Sequence, residues 1–237
     1  LGLLAGFFTF SNQFLRIIHA APGFLSVGLW WIGEVSGAGM GTNEQVLCVP
    51  RAALPRAWLG LEVSHELGWE DCLQTLESAG YSFLPRTQVE KDPSFKQLIP
   101  YVVVGDASSR RIGCYQRVGS EKRLHGLQSL GVGGHVAFQD AVPGQSLGEI
   151  VAQGMARELA EEFVALPAAY DLHFRGIINE ETSAVGQVHL GLVFRMDILD
   201  AHALRPGAEL QDFRWVSLSQ AAELPLELWS LLALRIL

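Results

Sequence analysis

Glu158, Glu161 and Glu162 are the side chains of this chain best spaced for chemistry. In a helix they stand at i, i+3 and i+4, so their carboxylates share one face. Like charges so placed repel by about 0.2–0.5 kcal/mol per pair on an exposed helix, and a purely structural helix gains nothing from them unless cations sit nearby. A divalent cation turns the repulsion into coordination, because Mg²⁺ prefers hard oxygen ligands and keeps some of its waters. The chemistry open to such a set is metal-assisted: a bound cation neutralises gathering negative charge and positions a water. Arg157, one turn before Glu161, can hold that carboxylate. A solvated acidic face is the bland reading of such a helix, and the order of the surrounding residues weighs against it.

The element that must carry these groups reads as one helix from Ser146 to Ala165. Ser146 and Glu149 form a capping-box pattern at its start. Ile150, Leu159 and Phe163, with Ala152 and Ala156, supply its apolar side. Gly154 inside it costs roughly 1 kcal/mol against alanine, which close packing explains, and it is given no catalytic role. Upstream, Gln128–Val136 reads as a glycine-rich strand leading into the site. Gln45–Pro50 is strand-like, and Trp69–Ser78 is helical and stops at Gly80. Tyr101–Val104 is a β-branched strand ending at the turn signal Gly105-Asp106, with Arg111–Val118 as its partner. Strands follow around Leu172–Ile178 and Gln187–Met196, then a helix near Leu218–Leu237. Strands around a central amphipathic helix, with another at the end, suit an α/β/α sandwich on a mixed sheet.

Glu149, seven residues, then Arg157-Glu158-Leu159-x-Glu161-Glu162 resembles the core of the Nudix box, G-x5-E-x7-R-E-U-x-E-E-x-G-U, with U a bulky aliphatic. Two positions depart from it. Pro143 stands where the box glycine belongs, and the better counterpart is Gly133-Gly134, with fourteen residues between Gly134 and Glu149 where the box has five, so the loop carries an insertion. Val164-Ala165 replaces the terminal Gly-U. Loop closure grows only slowly more costly with length, so the insertion is tolerable. The runs Lys91–Tyr101, Arg123–Gly126, Ser129–His135, Val185–Gly191 and Phe213–Val216 are similar to a group of predicted phosphoesterases within the Nudix superfamily. The resemblance extends from about Val46 to near the C-terminus and implies a Nudix-type fold.

It also implies a metal-dependent hydrolase using Mg²⁺ or Mn²⁺. Glu158 and Glu162 match metal-binding positions, and Glu161 matches one that joins the metals or orients water. The Gly133 carbonyl is a further candidate ligand, and Gly134 and Glu149 are structural parts of the box. Arg157 would orient Glu161, and Glu149 would tie the helix start to the loop. The general base is left open, with Glu180 and Glu181 as candidates against their reading as ordinary turn acids. His135 and His189 are candidates for phosphate contact or proton transfer, against a role as hydrogen-bonded structural residues. Arg117, Lys122 and Arg123 form a basic cluster that would meet phosphate or simply end a solvated hairpin. Trp215 and Tyr101 are candidates to stack a base, although strand aromatics ordinarily pack the core.

The 237 residues suit one domain with a full core, and a hydrophobic share of 49% with 18% charged residues describes a globular chain. A formal net charge of −8 argues against binding nucleic-acid polymers. The expected partner is a small-molecule nucleotide or other diphosphate; no membrane is expected, and a homodimer stays open. Cys48, Cys72 and Cys114 show no metal-ligand pairing and suit reduced thiols in a cytoplasmic protein. Residues 1–39 form an apolar extension in which Arg16, His19 and Pro22 interrupt any membrane-spanning run. The native start is expected at Met40, followed by a lead-in over 40–96 and a Nudix domain over 97–237. The leading function is hydrolysis of a nucleoside diphosphate linked to another group. The alternatives are an enzyme like isopentenyl diphosphate isomerase, for which Cys114 is the available cysteine, and a non-catalytic nucleotide sensor.

Overall fold

Twelve consecutive residues, Phe95–Asp106, form the strand on which everything else is arranged. The computed structural model describes residues 44–117 and 126–237, with Phe10–Ser11 and Phe14–Leu15 as two short strands. Met40, Lys122, Arg123 and the side chain of Arg117 lie outside the described residues. The strands that matter for the site are β1 (Gln45–Pro50), β2 (Ser82–Pro85), β3 (Phe95–Asp106), β4 (Arg111–Arg117), β5 (Gly131–Gly133), β6 (Tyr170–Ile178), β7 (His189–Ile198) and β8 (Leu210–Val216). The helices are α1 (Trp69–Ala79), α2 (Leu147–Glu162) and α3 (Leu228–Leu234).

The sheet runs β6-β7-β3-β1-β2 and is mixed. β3 and β7 pair in parallel from Gln97↔His189 to Asp106↔Ile198, whereas β6/β7, β3/β1 and β1/β2 are antiparallel. Along its other edge β3 changes partner: β1 at Phe95–Gln97, β5 at Tyr101–Val103, β4 at Gly105–Asp106. Between these partners the sheet splits, and Pro100, which has no N–H to donate, falls in the split. A proline there marks the opening of the ladder rather than the start of the strand. The strand expected at Tyr101 therefore begins at Phe95 and runs through Asp106, and the turn is Ala107–Arg110, with Arg110 at φ 56°.

One face of the sheet buries Leu98, Val102, Leu190 and Leu192 against α1 and α2, through Leu76, Leu147, Val151 and Met155. The opposite face buries Tyr101, Val103, Ile178 and Val193 under the C-terminal segment, through Leu226, Leu232 and Ile236. Helices thus cover both faces, the α/β/α arrangement expected. The C-terminal helix is two pieces, Leu218–Ala222 and α3, because Pro225 cannot continue a helix. α2 also differs from expectation. It stops at Glu162, and Phe163–Ala165 continues as a short strand against Arg205–Pro206. Leu147, Val151 and Met155 join Ile150 and Leu159 in its buried stripe, while Ala156 is exposed. No helix among the described residues is long and apolar enough to cross a membrane.

Candidate active site

The start of α2 is fixed by the expected capping box. The Ser146 N–H donates to Glu149 Oε2 at 2.7 Å, and Ser146 Oγ accepts from the Glu149 N–H at 3.4 Å. The Ser146 bonds hold the Glu149 carboxyl below its ordinary range. Glu149 is committed to this cap and does not line the cleft that holds the other box carboxylates. At the far end, where the box glycine is missing, Gly207 closes on the end of α2. The Gly207 N–H donates to the Glu162 carbonyl at 2.8 Å, and a Cβ at 207 would stand 2.5 Å from that oxygen.

Glu158 leans on the turn after β5. A Cβ on Gly134 would lie 2.0 Å from the Glu158 Cδ, so only glycine leaves room for the carboxylate. Burial raises the Glu158 pKa, and the bond from Arg157 partly opposes that shift. The Arg157 Nη1 reaches Glu158 Oε1 at 2.8 Å and Glu161 Oε1 at 3.2 Å. Its strongest engagement is elsewhere. Nε and Nη2 donate to the two oxygens of Asp140 at 2.8 and 2.9 Å, and Nη2 also reaches the His135 carbonyl at 2.8 Å. Asp140 belongs to the inserted loop and also accepts the Ala137 N–H at 2.8 Å. Gly154 is explained by the same loop, since a Cβ there would meet Asp140 Oδ2 at 3.0 Å and the Val136 methyls at 3.1 Å. Arg157 is therefore clamped from the insertion, with Glu161, 59% exposed, as its looser partner.

His135 and His189 meet. Their Nε2 atoms are 3.2 Å apart, and His135 Nε2 is 3.0 Å from Gln97 Oε1. His189 Nδ1 donates to the Val185 carbonyl at 2.7 Å, which leaves its Nε2 as an acceptor. Gln97 Nε2 donates to the Val188 carbonyl, which turns Oε1 toward His135. His135 then carries its proton on Nε2, shared between the Gln97 and His189 acceptors, with both rings neutral. Burial, with the charges of Arg86, His189 and Arg157, brings the His135 pKa down to about 3. Burial also lowers that of His189.

Glu158, Glu161, Arg157, His135 and His189 line a cleft of about 860 Å³. Glu44, Glu90, Glu158, Glu161, Glu162, Glu180 and Glu227 line it, against Arg86 and Arg157 among the described residues. Both guanidinium groups are already engaged, Arg86 with Glu44 at 3.0 Å and Glu90 at 2.7 Å. Glu180 is buried, and its carboxylate accepts from the backbone and hydroxyls of Thr182 and Ser183. Burial alone would raise its pKa; these bonds bring it down. Glu181 pairs with the buried Lys96 at 2.7 Å and with Arg51 at 3.1 Å. Both acids thus staple the 180–188 loop. Glu161, Glu158, Glu162, Gly133, Gly134, His135 and His189 are brought together; Cys114, Trp215 and Glu181 are absent from the lining. Cys114 is buried and points to Gln128 at 3.1 Å. Tyr101 reaches the cleft, but its buried ring lies under Gly131, where a Cβ would meet it at 2.3 Å. Asp140, Gln97, Arg86, Glu227 and Trp229 went unrecognised in the sequence. Among the described residues no three His, Cys, Asp or Glu side chains are already gathered tightly enough to enclose a metal ion.

No protein-family model matches the chain. It is 37% identical over 137 residues to protein YmaB of Bacillus subtilis strain 168, covering 56% of this chain and 61% of that protein. The chain thus spans less than two thirds of that curated relative. The crystal structure of Tm1382, a candidate Nudix hydrolase, superposes with a TM-score of 0.65 at 28% identity, over 81% of this chain and 97% of that one. With the box carboxylates in register on α2, the mixed sheet split beside them and the overlap with Tm1382, the chain is similar in fold and in its box to the Nudix hydrolase superfamily.

Proposed function

We propose that this protein is a divalent-metal-dependent hydrolase cleaving a phosphoanhydride in a nucleoside diphosphate linked to another group. The observation that carries this reading is the charge of the cleft: seven carboxylates face two guanidinium groups, and both of those are already paired. A polyanionic substrate entering such a cleft needs cations beyond the described side chains. The donor set suits a hard cation. Carboxylate oxygens of Glu158, Glu161 and Glu162 and the Gly133 carbonyl are the oxygen ligands Mg²⁺ and Mn²⁺ take. The absence of a side chain at Gly134 gives the Glu158 carboxylate its place in that donor set. Mg²⁺ or Mn²⁺ bound there would supply charge neutralisation and an acidified water.

The residues divide the remaining work. Glu158 and Glu162 hold the cation, and Glu161, the most exposed of the three, orients water beside it. Arg157 positions Glu158 and Glu161 while Asp140 fixes Arg157. The neutral His135–His189 pair presents a rigid, uncharged wall to the phosphates rather than a proton source, since burial keeps both rings unprotonated at neutral pH. The isomerase alternative finds no cysteine in the cleft lining. Incubation of the protein with a panel of nucleoside diphosphate conjugates and Mg²⁺ or Mn²⁺, beside E162Q, tests the proposal. Metal-dependent turnover abolished by E162Q is the expected result. Nucleotide binding without turnover across the panel would transfer the assignment to a sensor.

A further inference from the structure

We infer that Trp229 is the base-stacking residue of this cleft, so that the substrate carries an aromatic ring on its diphosphate; the inference rests on the hydrolase reading for the diphosphate alone. Trp229 lines the same cleft as Glu158, Gly133 and His189 and is half-buried. Its ring stands on β7 at Gly191, where a Cβ would meet Cζ3 at 2.9 Å and Cη2 at 3.2 Å. Position 191 therefore leaves the indole lying against bare backbone. Tyr101 meets it edge-on, with centroids 5.8 Å apart and planes at 69°.

The backbone that carries the indole is held by a hydrogen-bond network at the first turn of α3. Glu227 caps α3, accepting from the N–H groups of Trp229 and Ser230 at 2.9 Å each. The Tyr101 hydroxyl lies 3.0 Å from Glu227 Oε1 and 2.8 Å from Ser230 Oγ, and Ser230 Oγ accepts the Leu130 N–H at 2.8 Å. Gln128 and Glu227 bond through their backbones at 2.9 Å. The first turn of α3 is thereby tied to β3 and to the strand entering the site. A large aromatic fixed in place before the ligand arrives binds with little entropy left to lose.

Its position relative to the carboxylates follows from register. Gly191 lies opposite Ile99, and Gly133 opposite Tyr101, on the two edges of β3. Two strand spacings and a two-residue offset separate Gly191 from Gly133 by roughly 10–12 Å. That matches the reach of a nucleotide from its base to its second phosphate. A ring on Trp229 would then set its diphosphate beside Gly133 and Glu158.

Calorimetric titration of ADP, GDP, UDP and CDP, and of inorganic pyrophosphate, all with Mg²⁺, into the wild type, W229A, W229F and E162Q tests this. W229A is expected to weaken at least one nucleoside diphosphate on the order of 10- to 100-fold and to leave pyrophosphate within twofold. W229F, which keeps an aromatic face and guards against misfolding, should retain most of the affinity. Equal weakening of nucleotide and pyrophosphate, unchanged nucleotide affinity in W229A, or no binding of any of the four nucleotides overturns the inference. Trp229-dependent binding without turnover of any substrate leaves it standing while the hydrolase reading falls.

Discussion

Asp140 presents both carboxylate oxygens to Arg157, at 2.8 Å from Nε and 2.9 Å from Nη2. The acid is 5% exposed and the arginine 24%, so the pair is shielded from solvent and bidentate, the geometry in which such a bond is strong. One partner comes from the loop inserted before α2 and the other from the box itself. The insertion therefore reaches the carboxylates of α2: through Arg157 it bears on where Glu158 and Glu161 point.

Removing the charge from Asp140 should be felt in stability and in rate. D140N leaves a half-buried guanidinium short of its counter-charge, and the expected loss is about 2–3 kcal/mol, below the range for a fully buried pair. Urea denaturation measures it. In the proposed hydrolase, kcat should fall while KM stays near its wild-type value, because Asp140 does not line the cleft. A D140N protein within 0.5 kcal/mol of wild type, with unchanged kcat, would show the clamp to be idle.

Gly134 offers a sharper test of where the proposed cation would be held. In G134A the new methyl would stand 2.0 Å from the Glu158 Cδ, so the carboxylate must swing away while the backbone keeps an ordinary conformation. The expected outcome is a fold that melts within a few degrees of wild type. Metal-dependent turnover should fall about 100-fold, the scale attached to a misplacement of about 1 Å. Mn²⁺ affinity, followed by electron paramagnetic resonance, should weaken in parallel. Tight Mn²⁺ binding by G134A would remove Glu158 from the ligand set.

The box carboxylates, the capping pair and most strands were legible because each depends on local spacing: Glu158, Glu161 and Glu162 share a face whatever surrounds them. What was illegible depends on tertiary partners. Pro100 reads as a strand breaker, and only the change of partner from β1 to β5 shows that it sits in the split of a continuous strand. Asp140 looks like any loop acid until Arg157 arrives from α2. Gly207, more than forty residues later, closes on the end of α2 at Glu162, which no local pattern announces. Trp229 reads as one apolar residue among several in a C-terminal helix, and Gly191, which opens the space beneath it, lies on another strand.

The three cysteines should be silent toward thiol reagents in the native protein. Cys48, Cys72 and Cys114 are all fully buried and free. Burial pushes the Cys48 thiol up to about 12 and raises those of Cys72 and Cys114 as well. Thiolate is the reactive form, so both access and ionisation oppose modification. With Ellman's reagent at pH 8 the native chain should release no colour on the time scale of minutes, and the denatured chain should titrate three thiols. Rapid labelling of one native thiol would mean that its strand opens locally.

Stability should decline on mild acidification, with His189 as one identifiable cause. Burial, and the positive charges of Arg86 and Lys96, lower its pKa from the ordinary 6.5, against the opposing pull of the Val185 carbonyl and Glu90. His135 and Arg157 complete the charged and titratable surroundings. The sign follows from proton counting. Below about pH 6.5 the unfolded chain takes up a proton at His189 while the native chain does not, so the unfolding free energy falls as pH falls. The slope from this side chain approaches about 1.4 kcal/mol per pH unit until the folded-state pKa is reached. Above pH 7 both states are neutral there and the slope vanishes. Urea titrations at pH 7.5, 6.5 and 5.5 on wild type and H189Q measure this, since glutamine keeps a donor for Val185 without titrating. The difference in stability between the two proteins should shift in favour of H189Q as pH drops. Parallel curves across the three pH values would show that His189 protonates as readily in the folded protein as in the unfolded chain.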